Sequence, residues 1–214
     1  MKRLLALAGS ALAAACAHAG TLPDDFFLDP ATETEWARSA APANMSDEAT
    51  VWHLTPDGYA LAEEGTNGFH CLILRGFVAK PENAAGIIAP ICYDAEAAKA
   101  DMQEQFLQAR LFLDGKTPTE IRAAVQAAYE AGELKPVERV GFAYMMSGAQ
   151  RLGPQIGAWM PHFMIYAPYA SDAAFENEFN SGLPIVFDAP GTARATFVVP
   201  LAPGEVGEHI HPGH

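Results

Sequence analysis

The sequence predicts an α+β fold: antiparallel strands flanking a central pair of helices, in one domain with an N-terminal arm. Three observations carry this reading. Residues 50–93 and 140–201 hold short apolar runs parted by Gly, Pro and Asn turns, as strands do. Residues 94–132 instead place apolar side chains three and four apart, as helices do. Half of the residues are apolar, enough to fill the core of a single domain of this length. Strands grouped to either side of helices favour α+β over a doubly wound parallel sheet, in which the two alternate.

In chain order, Met1-Lys2-Arg3, the uncharged run Leu4 to Ala15 and Ala17-His18-Ala19 have the pattern of a secretory signal over residues 1–19, with a mature start at Gly20. The run is shorter than the ~20 residues a bilayer span requires. Lipid attachment at Cys16 is the alternative, although Leu12 stands four residues before it rather than three. Residues 20–49 read as an extended arm with one short helix, capped by Asp29, with Pro30 in its first turn and Trp36 on its apolar side. The single domain spans residues 50–202. Its first strands are Thr50 to Thr55 and Tyr59 to Ala62, joined at Pro56-Asp57-Gly58. The turn Thr66-Asn67-Gly68 leads into Phe69 to Arg75, and Gly86 to Cys92 follows, forming a small antiparallel meander.

Ala98, Met102, Phe106, Ala109 and Leu113 then line one face of a helix from about Asp94 to Leu113, stopped by Asp114-Gly115. Thr117-Pro118-Thr119-Glu120 is a capping box that opens a second helix, buried through Ile121, Val125 and Ala128 and ended at Gly132. Val140 to Met146, Pro161 to Ala167, Pro184 to Phe187 and Ala195 to Leu201 read as strands, with a short helix capped by Ser171 between the second and third. Residues 203–214 form a flexible tail containing histidines.

Charge and cysteines narrow the function. Without Lys2 and Arg3 the mature chain keeps 11 basic side chains against 26 acidic ones, a formal charge of −15 where the whole chain has −13. Such a surface argues against nucleic acid and anionic lipid as partners. Cys71 and Cys92 remain after cleavage, and in an oxidising compartment a disulfide is the expected state of the pair. They lack the Cys-x-x-Cys spacing of redox centres. Dinucleotide, phosphate-loop, His-Glu-x-x-His and calcium-loop signatures do not occur.

Six stretches carry a family resemblance: Ser39-Ala40-Ala41-Pro42, Gly65-Thr66-Asn67-Gly68-Phe69-His70-Cys71-Leu72, Cys92-Tyr93-Asp94-Ala95-Glu96, Tyr144-Met145-Met146-Ser147, the run from Pro161 to Tyr169 and Val198-Val199-Pro200-Leu201. Together, from about Trp36 to Leu201, they resemble an uncharacterised family of exported bacterial proteins with no assigned activity. The resemblance implies no cofactor or reaction. It draws attention to Asn67, Cys71, Cys92, Ser147 and His162.

Three candidate chemistries follow. If Trp159 to Tyr166 is a strand, Met160, His162, Met164 and Tyr166 share a face, with Met145 and Met146 on a neighbouring strand. Thioether and imidazole suit copper, whereas buried methionines and a lone histidine are more often core. In the tail, His209, His211 and His214 with Glu208 have the donor set for zinc, nickel or copper, set against the plainer reading of a solvated terminus. Ser147, with His162 as base and Asp172 or Asp188 as third member, has the residue types of a serine hydrolase without its Gly-x-Ser-x-Gly or Ser-x-x-Lys motif. An exposed Ser147–His162 pair in a cleft favours the hydrolase; a buried His162 bonded to backbone argues against both readings that use it.

The expectation is therefore an exported, periplasmic or secreted, disulfide-bonded protein, a non-enzymatic module for a protein partner or small ligand, with its face near His162, Met164, Tyr166 and Ser147. Copper or zinc binding and serine hydrolysis are the alternatives.

Overall fold

The computed structural model describes residue 22 and residues 26–79, 86–153, 157–171, 182–187 and 190–201. The signal segment with Cys16, the helix expected after Ser171, Asp172, Asp188, and the tail with His209, His211 and His214 lie outside the described residues.

Strand alternation decides which helix each residue meets. In β3 (His70–Leu74) and β4 (Ile87–Tyr93), Cys71, Ile73 and Cys92 pack on one face beneath α1 (Pro30–Arg38) and α2 (Ala43–Ser46). Leu72, Ala89, Ile91 and Tyr93 point the other way, to Met102 and Phe106 of α3 (Asp101–Leu113). Behind α3 lies α4 (Pro118–Glu130), whose Ile121, Val125 and Ala128 pack with Ala109 and Phe112. Both ends of this helix match the expectation: Thr117 and Glu120 form the reciprocal capping box, and Gly132 takes a φ of 73° just past the end.

The remaining strands are β1 (Thr50–Thr55), β2 (Gly58–Glu63), β5 (Gly141–Met145), β6 (Arg151–Leu152), β7 (His162–Tyr166), β8 (Ile185–Phe187) and β9 (Thr196–Pro200). Among the described residues they complete a nine-stranded sheet of order β2-β1-β3-β4-β5-β7-β9-β8, with β6 paired to β4 beside that path. The protein is mixed α/β, with a larger sheet than expected. The helices do not divide two strand groups, because β4 pairs directly with β5 through Cys92↔Tyr144 and Tyr93↔Ala143. Two separate groups would each leave an edge of unpaired backbone groups, which joining removes.

The first strands do not form a meander either. β3 runs parallel to β1, with Thr50 opposite His70 and Val51 opposite Cys71, so β2 becomes the sheet edge. The connection explains this. Gly65 lies so close to the start of β1 that a Cβ there would sit 2.2 Å from the Thr50 nitrogen. Thr66 N donates to Glu48 O at 2.8 Å, and Asn67 Nδ2 donates to Met45 O at 2.6 Å. The turn thus carries the chain back to where β1 began. The expected helix over 94–113 is also broken in two. Asp94 accepts the Ala97 N–H at 2.8 Å and starts a 3-10 turn, Ala97–Lys99, and Ala100 leaves helical geometry before α3 begins.

Residues before β1 pack on the chain's own sheet. Asp29 caps α1 by accepting the Thr32 N–H at 3.1 Å, and Ala37, Ala40 and Ala41 are buried against β3 and β4. No helix among the described residues is long and apolar enough to cross a membrane.

Cys71 and Cys92 face each other across β3 and β4 and form a disulfide, both fully buried. The bridge closes a sequence separation of 21 residues. Replacing both cysteines by alanine should lower unfolding free energy in urea by about 3 kcal/mol, chiefly by freeing the unfolded chain. A loss under about 1 kcal/mol contradicts this assignment of the bridge's role.

Glu33 of α1 is 3% exposed and accepts the Leu54 N–H at 2.8 Å. Burial raises its carboxyl from 4.5 to about 7, against the opposing pull of the Leu54 N–H and Arg75. The folded state therefore holds this proton to higher pH than the unfolded chain. Its stabilisation is complete below pH 4.5 and is lost as pH rises through about 7. Glu33→Gln should gain stability relative to the parent as pH rises from 4.5 to 8, by up to about 3 kcal/mol in denaturant titrations.

Candidate functional site

β7 places Met164 and Tyr166 on the sheet face that α3 covers, two residues apart on one side of the strand. Around them the sheet face is low. Ala89 of β4 offers only a methyl group, and Met145, Thr196 and Phe187 continue the floor from β5, β9 and β8. Asp101, Gln105 and Gln108 of α3, with Arg194 from the segment before β9, form the facing wall. Between floor and wall lies a cleft of about 340 Å³, completed by residues that include Leu74, Val78, Leu152 and Trp159. That volume falls within the range of small-molecule sites, which are concave and apolar with a few placed polar groups.

The wall is held by a buried carboxylate. Glu104 has no solvent exposure. Arg194 grips it with both arms, Nη2 to Oε1 at 2.7 Å and Nε to Oε2 at 2.8 Å. Gln108 Nε2 donates to Oε1 at 2.6 Å, and the Tyr129 hydroxyl of α4 donates to Oε2 at 3.0 Å. A buried charge requires this degree of matching, and the bidentate fork adds fixed orientation. One turn earlier, Asp101 Oδ2 accepts the hydroxyls of Tyr93 at 2.8 Å and Tyr166 at 3.2 Å. Burial, then the charge of Asp101, raises Tyr93 well above the ordinary phenol range, so it remains a donor. At the other side Arg75 donates to the Phe26 carbonyl, stacks 5.0 Å from the Phe26 ring and acts on Glu33.

Of the residues singled out from sequence, His162, Met164 and Tyr166 alternate onto one face of β7, whereas Ser147 lies apart. Met164, Tyr166 and Met145 line the cleft. His162 is fully buried in β7, opposite Met145, with its ring 4.3 Å from that of Trp159. Its Nδ1 bonds to the Met160 carbonyl at 2.9 Å, and its Nε2 has no hydrogen-bond partner among the described residues. Ser147 is buried elsewhere, at the C-terminal end of α1. Its Oγ shares a 2.6 Å hydrogen bond with Ser39 Oγ and accepts the Ala149 N–H at 3.1 Å. Ser147 and His162 thus make their hydrogen bonds to other groups. Among the described residues no group of three or more His, Cys, Asp or Glu converges as a metal site.

Ser39-Ala40-Ala41-Pro42 and Tyr144-Met145-Met146-Ser147 meet at the end of α1, where Ala40 O accepts the Met146 N–H at 3.0 Å and Ser39 Oγ lies 2.6 Å from Ser147 Oγ. Sequence reading missed the wall: Asp101, Glu104, Gln105, Gln108 and Arg194. Four of these recur on α3 at spacings of three, one and three, which reads equally as a solvated face.

Burial lowers the His162 imidazole from 6.5 to about 4, opposed by its bond to Met160. The ring is neutral in the folded state where it would ionise in the unfolded chain. Stability is therefore present above pH 6.5 and is lost as pH falls through about 4. His162→Gln should gain on the parent by up to about 3 kcal/mol between pH 7 and pH 4, measured by urea unfolding. An unchanged difference across that range contradicts the neutral, buried ring.

Compared with protein-family models, curated proteins and solved structures, the chain returned no match.

Proposed function

We propose that this protein is an exported, non-enzymatic binding module whose small ligand occupies the cleft between the sheet and α3. The observation that carries the reading is the cleft itself. About 340 Å³ of mostly apolar space is framed by polar groups whose positions are fixed by the Glu104 and Asp101 networks. A rigid frame around an apolar space lowers the ordering cost of binding. Ser147 and His162 are each buried and bonded to other protein groups. Export is supported by the signal pattern of residues 1–19 and by the disulfide, which persists in oxidising compartments.

Filling the cleft tests the proposal. N-phenyl-1-naphthylamine, an apolar fluorophore, should brighten on binding the parent protein at one site. Met164→Trp, which places an indole in the cleft, should weaken that binding at least tenfold, while Met45→Trp on the opposite face of the sheet leaves it unchanged. Thermal unfolding of both variants verifies that they are folded. Equal binding by the parent and a folded Met164→Trp variant refutes the cleft as the site.

A further inference from the structure

The geometry points to an uncharged ligand: a compact, largely apolar molecule of about two fused rings, carrying a single hydroxyl or carbonyl group that meets the side-chain amide of Gln105. This inference rests on the cleft being the binding site and specifies what the cleft takes.

Size comes first. A dry protein cavity of about 150 Å³ accepts benzene. The cleft, at about 340 Å³, has roughly twice that space and is lined largely by apolar side chains. A two-ring molecule is on the scale of the space available.

Charge comes second. Three ionisable residues line the cleft, and each is matched within the protein. Arg194 is gripped bidentately by Glu104, which lies behind the wall with no exposure. Asp101 accepts two tyrosine hydroxyls. Arg75 stacks on Phe26 and donates to its carbonyl. A carboxylate or ammonium entering this space would leave water for an apolar floor whose nearby counter-charges are already engaged. That desolvation is unfavourable, and breaking the Glu104–Arg194 pair to offset it would strand a buried carboxylate. A neutral molecule incurs neither penalty and gains the apolar contact.

The polar anchor comes third. Gln105 lines the cleft, is half-buried, and makes no side-chain hydrogen bond to the described residues. It is one helical turn from Asp101 and Gln108, whose side chains are committed to the two networks. Gln105 therefore offers an NH₂ group as donor and a carbonyl oxygen as acceptor, either of which can orient a single hydroxyl or carbonyl. Its amide is a polar group of the wall that neither network takes up among the described residues.

Calorimetric titration of the purified protein with a matched series tests this. The probes are 2-naphthol, naphthalene, 2-naphthoate and 2-naphthylmethylammonium. 2-Naphthol should bind at least tenfold tighter than either ion. It should also exceed naphthalene by about five- to tenfold, the size of one net hydrogen bond. Gln105→Leu should erase the advantage over naphthalene without weakening naphthalene itself. Binding of 2-naphthoate or the ammonium as tight as that of 2-naphthol overturns the uncharged class and leaves the cleft reading intact. An undiminished 2-naphthol advantage in a folded Gln105→Leu variant overturns the anchor. Failure of all four probes overturns the cleft reading and this inference with it.

Discussion

A carboxylate without solvent exposure has to be satisfied from within, and Glu104 is satisfied by three parts of the chain at once. Gln108 comes from its own helix α3, Tyr129 from α4, and Arg194 from the segment that leads into β9. Removing any one partner leaves a buried charge short of a hydrogen bond, an expensive defect in low-dielectric surroundings. The network therefore fixes the helical layer to the far half of the sheet. A second tie runs from Asp101 of α3 to the hydroxyls of Tyr93 on β4 and Tyr166 on β7, while Met102 and Phe106 pack the helix against the sheet. The cleft is the space left between surfaces whose separation these ties define.

On the opposite face the sheet is organised differently. There α1 lies on β1, β3 and β4, over the buried disulfide, and is tied down by polar contacts that include the Ser39–Ser147 pair, the Ala40–Met146 bond, the Thr34–His53 bond and the Arg38–Glu63 ion pair. The two faces divide the work. One is a packed, cross-linked support, and the other carries a space bounded by matched charges. Glu33 and Arg75 join them, since Glu33 of α1 accepts from β1 and acts on Arg75, which in turn lines the cleft.

Much of the fold was legible in sequence because local chemistry determines it. Thr50–Thr55 forms the strand expected before the Pro56-Asp57-Gly58 turn, and Thr117 and Glu120 cap α4 as their spacing requires. What was not legible is pairing. Nothing in the residues of β1 or β3 states that they run parallel; that follows from Gly65 backing onto Thr50, a contact between backbones. β6 and α2, at two and four residues, are too short to show a period. Of the candidate site, the shared face of Met164 and Tyr166 was legible from strand alternation. The hydrogen bonds of Ser147 to Ser39 and of His162 to the Met160 carbonyl were not, because no spacing states them. Glu104 was hidden because a charged residue on a helix reads as solvent-facing until its partners, up to 90 residues away in sequence, are known.

The central claim is that a small molecule enters the space beneath α3, and the methionine methyl groups report on it directly. Met145 and Met164 line the cleft, and Met45 lies on the opposite face of the sheet. We would record methyl NMR spectra of ¹³C-methionine-labelled protein through a titration with 2-naphthol. The account predicts saturable shifts at Met145 and Met164 with Met45 unmoved. Shifts centred on Met45, or no saturable shift at either cleft methionine, would contradict it.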